Sequence, residues 1–422
     1  MSVNHERELT TTETAIIDSF GERIGDFPGD SSIMSLRDNI IEQFKRVGLP
    51  SRKQEYWHYT DLRTLLRDIP QYSDEGDGLS QDPLVVKSPV FAIFNGKTLT
   101  APRVDNVKSE NFADLLATEH SDLQNDIADD DFIAQLNTAF VTDGWFLELE
   151  NDAKPETPIE LQTIQPGGRG HVYSKISVGN NCVATFIDRQ IGGEQPVLAS
   201  SANVLNIGEN SEVTWVIIRD RGIDATQFSK FEAKLGKAAK LSLYVINIGS
   251  SLNRQEINVD MAGEGADFQL RVINLLAGQT HSDVTMCVRH LQENTTSSEL
   301  IRNVVTDNAR GAFQGMIRVA KEAQKTDAKM TCNSLILSNE AEFDSKPELE
   351  IFADDVACGH GSTVSEIDRD QLFYLMARGI PEVTARGLLV KAFVSELVED
   401  DNIAAIQDTL ESVIDKWLEN HL

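Results

Sequence analysis

Cysteine is scarce in this chain: there are four in 422 residues, at Cys182, Cys287, Cys332 and Cys358. They lie far apart and none forms a Cys-x-x-Cys pair. That spacing argues against a disulfide framework and against a self-contained zinc ribbon or ferredoxin-type site. Any metal cluster bound here needs ligands gathered by the fold or donated by a partner. Long apolar runs are also missing, and no stretch approaches the roughly 20 residues of a membrane span. The opening residues, Met1-Ser2-Val3-Asn4-His5-Glu6-Arg7-Glu8, hold neither the basic nor the apolar region of a secretory signal. A reducing, cytoplasmic setting is the expectation. Positive charge is short: 38 Lys and Arg face 67 Asp and Glu, a formal net charge of −29. A field that negative repels nucleic acid and anionic membranes, and it suits protein partners or metal cations. The chain contains no Gly-x-x-x-x-Gly-Lys-Ser/Thr loop, no Gly-x-Ser-x-Gly elbow and no His-Glu-x-x-His helix. ATP binding of the P-loop type is therefore excluded, and a stand-alone enzyme has little support.

What is present divides into three textures. Residues 1–150 read as a mixed, mainly helical domain. Apolar positions Met34, Ile40, Ile41, Phe44 and Val47 recur at helical spacing until Gly48 and Pro50 stop them. A short helix is expected over 57–66 and further helix over 110–138. Asn95-Gly96 inside an apolar run predicts a tight hairpin, because this dipeptide accepts the positive φ values of a type I′ turn. Residues 151–365 form a second part, with at least nine short β-type runs broken by Gly, Asn and Asp. These are 172–178, 183–187, 212–218, 241–246, 268–275, 284–288, 316–319, 334–337 and 349–352. Turn phrases such as Gly208-Glu209-Asn210-Ser211 and Gly263-Glu264-Gly265-Ala266 punctuate them like rungs, with no fixed repeat length. A β body of this length is a large sandwich or a solenoid. Residues 366–422 read as helical. Asp368 or Asp370 caps a helix over 371–378 that Gly379 ends, and Pro381 suits the first turn of the next. Ala385, Leu389, Ala392, Phe393 and Leu397 line one face of that helix. Ile403, Ile406, Leu410, Val413, Ile414, Trp417 and Leu418 line a last one.

The stretch richest in chemistry is Cys358-Gly359-His360-Gly361, where the β body hands over to the helical tail. In an extended segment residues i and i+2 share a face, so sulfur and imidazole can stand side by side. That pair suits a thiophilic metal, and a nearby imidazolium would favour the thiolate form of Cys358. The common fate of a free cysteine is a small buried hydrophobe, and that of a histidine a hydrogen-bonded structural group. Asp354-Asp355 would point to opposite strand faces and reads as a solvated turn. Trp57-His58-Tyr59 reads as an aromatic packing cluster. His281 with Asp283, and Cys287 with Arg289, share strand faces and read as rung packing.

The run from Lys346-Pro347-Glu348 through Cys358-Gly359-His360-Gly361-Ser362-Thr363 to Leu372-Phe373-Tyr374-Leu375-Met376-Ala377-Arg378-Gly379-Ile380 resembles the SufD family of iron–sulfur cluster assembly proteins. Glu55-Tyr56-Trp57-His58-Tyr59-Thr60-Asp61-Leu62, Leu136-Asn137-Thr138-Ala139-Phe140, Phe313-Gln314-Gly315 and Gln324-Lys325-Thr326-Asp327-Ala328 are similar to the same family, in order. One departure is Ser365, where the family often carries glycine. The resemblance implies a mainly β protein with a right-handed parallel β-helix core between N-terminal and C-terminal helical domains. It further implies a non-catalytic scaffold that pairs with the paralogue SufB through the β-helix, and that docks the ATPase SufC on the C-terminal helices. By this resemblance His360, with Cys358 second, would meet iron or a nascent cluster at the SufB interface. No cofactor would be held tightly by the isolated chain. Arg378, Arg386, Leu389, Phe393 and Leu397 would lie in the SufC-docking region, with Lys391 and Glu396 setting its specificity. A homodimer is possible when SufB is absent. Two other readings are a β-helix enzyme acting on polysaccharide and a self-sufficient cluster carrier.

Overall fold

The turn phrases that punctuate the middle of the sequence mark the corners of a coil. In the computed structural model, which describes residues 7–73, 80–117, 123, 127–128 and 130–421, successive connections each place one residue at positive φ. These are Asn181, Asn210, Ala238, Gly265, Asn294 and Lys325, with φ from 51° to 71°. Asn and Gly tolerate that region best. The corners stack through backbone bonds, such as Asn181 N to Glu209 O at 2.9 Å and Asn210 N to Lys237 O at 2.9 Å.

The described residues form nineteen strands: β1 Val90–Phe94, β2 Lys97–Thr100, β3 Val107–Asn111, β4 Asp143–Leu149, β5 Ile159–Gln165, β6 Gly168–Val178, β7 Val183–Gly192, β8 Val197–Ile207, β9 Glu212–Arg221, β10 Ala225–Leu235, β11 Lys240–Gly249, β12 Leu252–Met261, β13 Asp267–Leu276, β14 His281–His290, β15 Thr296–Val305, β16 Arg310–Val319, β17 Asp327–Ile336, β18 Glu342–Ile351 and β19 Ala357–Ser365. From β4 onward even-numbered strands stack in one sheet and odd-numbered strands in the other. The result is a mainly β, parallel solenoid of eight two-strand turns flanked by helices, as the sequence led us to expect. The register places Glu212 beside Lys240, Lys240 beside Asp267, Asp267 beside Thr296, Thr296 beside Asp327 and Asp327 beside Ala357, so a turn takes 28, 27, 29, 31 or 30 residues. That variation is why no fixed period is legible in the sequence.

Both outer faces are covered. N-terminal helices α1 Thr11–Arg23, α2 Ser31–Val47, α3 Leu62–Leu65, α4 Phe112–Leu116 and α5 Phe132–Phe140 lie over the even-numbered sheet. There Phe44, Trp57 and Phe132 close over Leu198, Phe228 and Leu252. C-terminal helices α6 Arg369–Ala377, α7 Glu382–Ser395 and α8 Gln407–His421 lie over the odd-numbered sheet. There Val390, Val394, Leu410, Ile414 and Trp417 pack on Ile218, Ile246 and Ile273. Each fully buried large apolar side chain contributes about 1.5–3 kcal/mol. Among the described residues no helix is long and apolar enough to cross a membrane.

Several expectations need adjusting. Strands β1 to β4 join the two sheets, so the sheets reach back past residue 150. The 57–66 segment is a 3₁₀ turn, Glu55–Trp57, followed by α3. The stretch 110–138 is not one helix: it begins in β3, continues as α4 and resumes as α5. Residues 118–122, 124–126 and 129 lie outside the described residues, as do Met1 to Glu6 of the opening segment. Pro381 stands at the N-cap of α7, one residue before the first turn. The buried face of α7 is Ala385, Val390 and Val394; Ala392 is exposed, and Leu389 and Phe393 are half-buried. The hairpin at Asn95-Gly96 forms with φ of 48° and 71°, joining β1 to β2 antiparallel.

Candidate functional site at the open end of the solenoid

The last turn, β18 and β19, ends both sheets. Each strand pairs with one neighbour, β18 with β16 and β19 with β17, and among the described residues no strand pairs with its other edge. Pro347 fits here: it lacks an N–H to donate, which an edge strand tolerates and a central strand does not.

Parallel in-register pairing carries one side-chain direction from turn to turn, so the interior consists of columns. One column runs Phe186, Trp215, Leu243, Leu270, Glu299, Met330, His360. The neighbouring column runs Ala184, Val213, Leu241, Phe268, Ser297, Ala328, Cys358. Cys358 and His360 therefore share the inward face at the mouth of the solenoid, as their i, i+2 spacing predicted. His360 is exposed and Cys358 half-buried because no further turn covers them. A Cβ added at Gly359 or Gly361, which face the other way, would meet nothing within 4 Å, so this part of β19 is open on its outer face as well.

Electrostatics at the mouth run against a ready thiolate. Burial pushes the Cys358 thiol up; the Ala328 backbone bond opposes this, while the Asp327 and Glu299 charges add to it. The net shift is upward, against the expectation that an adjacent imidazolium would favour the thiolate. Glu299, one column over, is fully buried, and both its carboxyl oxygens lack a hydrogen-bond partner in the structure. Burial raises it to about 8, against weaker opposing effects from Ser297 and Arg271, so it is a neutral acid at pH 7. Nearby, His290 bonds Thr295 Oγ1 at 2.8 Å and Ser297 Oγ at 3.1 Å, and burial holds it down to about 4.

The other cysteines sit elsewhere. Cys182 is buried and donates to Glu150 O at 3.1 Å. Cys332 faces inward one turn below Ser362, is fully buried, and is pushed by burial to about 11. Cys287 is half-buried on the outer face, 4.0 Å from Arg289 Nη1. Among the described residues no group of three or more His, Cys, Asp or Glu side chains is placed to hold a metal. Asp355 pairs with Lys325 in an exposed turn, as read from the sequence. Trp57 packs against Phe132 at 5.9 Å between ring centroids and lies 4.5 Å under the Arg254 guanidinium. His281 and Asp283 meet Thr60 from the same N-terminal segment, and Asp283 pairs with Arg254 at 2.5 Å. This buried cluster bolts the N-terminal segment to the solenoid, a role that sequence spacing did not reveal.

On the helical side Arg378 is exposed with its guanidinium 5.1 Å from the Tyr374 ring. Half-buried Arg386 lines a cleft with Ile336, Arg369 and Leu372. Leu389 and Phe393 are half-buried, Lys391 pairs with Asp415 at 2.7 Å, and Glu396 pairs with Arg302 at 3.0 Å. Leu397 is 2% exposed and serves the packing of the helices on the sheet. The large apolar side chains that α6 and α7 leave open are others: Phe373 at 73%, then Val383, Tyr374, Leu388 and Met376. Sequence reasoning passed over them because an apolar residue on an amphipathic helix reads as core.

Residues 167–393 match the family model described as SUF system FeS cluster assembly, SufBD core domain. The chain is 26% identical over 368 residues to the iron–sulfur cluster assembly protein SufD of Escherichia coli K12, covering 85% of this chain and 87% of that protein. It is 26% identical over 321 residues to SufD of Bacillus subtilis, covering 72% and 73%. A SufBD family protein of Synechocystis is 25% identical over 418 residues, covering 91% of each.

Proposed function

We propose, because this chain belongs to the SufBD family of iron–sulfur cluster assembly proteins, that it is the SufD-type, non-catalytic scaffold subunit of a SufB–SufC–SufD complex. The observation that carries the reading is the unfinished last turn. Two parallel edge strands, β18 and β19, offer open backbone groups to a second solenoid, and such edges favour pairing. A paralogous SufB edge laid against them would continue the inward columns and cover Cys358 and His360. Imidazole is a borderline ligand that can replace thiolate on iron, so His360 would offer nitrogen to iron or a nascent cluster whose remaining ligands come from SufB. The cluster is cargo in this scheme, assembled between the two subunits and passed on.

The ATPase SufC would dock on the exposed apolar side chains of α6 and α7, Phe373, Tyr374, Val383 and Leu388, with Arg378 and Arg386 beside them. An acidic chain of this kind pairs with proteins and metal cations rather than nucleic acid, in the cytoplasm. Co-expression with the SufB and SufC of the same genome, followed by native mass measurement, tests the reading. A complex of one copy of this chain, one SufB and two SufC is expected. A chain that stays monomeric, or pairs only with itself, would overturn it.

A further inference from the structure

The outer face of the odd-numbered sheet carries a column that changes character. Ile218, Ile246 and Ile273 stand in register under the C-terminal helices, all buried. The next three positions in the same column are Arg302, Asn333 and Thr363. Packing alone would be served by a fourth isoleucine, because burying a guanidinium costs free energy that an apolar side chain does not. The cost is visible here, since Arg302 Nε is buried without a partner.

The polar positions form a relay. Arg302 Nη2 donates to Glu396 Oε2 at 3.0 Å, just past the end of α7, and its Cζ lies 5.1 Å from the Phe393 ring of α7. On its other side, with the Asn333 amide turned so that its oxygen faces Arg302 and its nitrogen faces Thr363, the orientation that satisfies both atoms, Arg302 Nη1 donates to Asn333 Oδ1 at 2.7 Å and Asn333 Nδ2 donates to Thr363 Oγ1 at 2.9 Å. Thr363 is on β19, three residues from His360 and facing the opposite way. The relay spans two strand spacings, about 9.5 Å. A planar guanidinium reaches both partners at once, which an ammonium does not.

We propose that Arg302 is a positioning residue: it ties the C-terminal helices to the edge strand β19, so that the seat of α7 sets how firmly the strand bearing Cys358 and His360 is held. Two features make β19 responsive. It has a single strand neighbour, so few bonds oppose its movement. Its chain also runs within a few residues into α6, anchored by buried Ile367, so the relay adds a second tether at mid-strand. The inference deepens the scaffold reading by supplying a path from the helices to the candidate site, and it is measurable without any partner.

The test is hydrogen exchange by mass spectrometry on the isolated full chain, following peptides from β19 and from α7 separately. Asn333→Ala and Arg302→Lys are expected to speed exchange in β19 by roughly threefold to tenfold, the effect of losing one hydrogen bond. Glu396→Ala, two side chains away from Thr363, is expected to speed β19 by about twofold, in keeping with a half-exposed ion pair. Combined with Asn333→Ala it should add nothing further at β19, because the relay is already cut. Coupling is reciprocal, so Asn333→Ala should also loosen the last turn of α7. If Glu396→Ala loosens α7 while β19 keeps its wild-type rates, Arg302 is only a local clamp and the proposal falls. Failure of the scaffold reading would appear instead as an absence of SufB and SufC from the native complex, with these exchange rates unaffected.

Discussion

Met330 and His360 occupy the same inward column one turn apart, on strands paired in register. Met330 is 1% exposed and packs in the core; His360 lies open. The same contrast separates Cys332 from Cys358, both inward, the first fully buried and the second half-buried. Backbone geometry and side-chain direction are shared, so what differs is whether another turn follows. A solenoid buries each turn with its neighbours, and its last turn is the place where an inward side chain can meet something outside the chain.

The comparison can be broken from either side. The largest effect belongs to the closed part: Trp215→Ala leaves a hole in the column between Phe186 and Leu243 and should cost about 3–5 kcal/mol in urea unfolding. Glu299 comes next. Its folded value near 8 lies above its ordinary 4.5, so the folded state keeps a proton that the unfolded state releases. Stability attributable to this group is full at acid pH and is lost as pH rises from about 4.5 toward 8. Glu299→Gln removes that slope, so the variant should gain on the wild type by on the order of 3 kcal/mol between pH 4.5 and 7. A parallel pH dependence in both proteins would show that the carboxyl is not held neutral.

The thiols sharpen the contrast. Cys358 should be alkylated at least about tenfold faster than Cys332 or Cys182 in the native chain, since of these three Cys358 alone needs no opening of the solenoid. Its rate should still be climbing at pH 9, because burial holds the thiol above its ordinary value of 9.0. Equal labelling of Cys332 would mean that the last turn opens freely. The smallest effect on folding belongs to the site itself. His360→Ala should change stability by less than about 0.5 kcal/mol, while cluster assembly in cells is lost. Retained assembly would remove His360 from the proposed site.

Parts of this architecture were legible residue by residue. The nine β-type runs fall on strands, two of them overrunning by one residue at Leu337 and Phe352. Helix α2 and the caps at Asp368 and Gly379 follow from spacing and turn chemistry. Strands β8, β10, β12 and β15 escaped notice because their inward faces carry Ser201, Gln227, Gln255 and Asn303 among the apolar residues. Several of these polar groups bond one another along the lumen, as in Arg219 to Asn247 at 2.6 Å, Asn247 to Asn274 at 2.6 Å and Asn274 to Asn303 at 2.7 Å. A one-dimensional pattern reads such residues as loop. Helix α1 escaped for want of a strong apolar stripe.

Cys358 and His360 were marked by sequence, since spacing of two in an extended segment fixes a shared face whatever the fold around it. The body of short strands, its stacked corners and its helical tail were likewise written in local chemistry, because period, turn residues and caps act over a few residues. Which face those two side chains share, what stands behind them and which residues reach them from the helices were decided by tertiary structure alone. Glu299, Met330, Arg302 and Asn333 are 25 to 61 residues from Cys358 and His360 in the chain. They come into line only because turns of unequal length place them in register, and the register is set by packing between turns that no local pattern encodes.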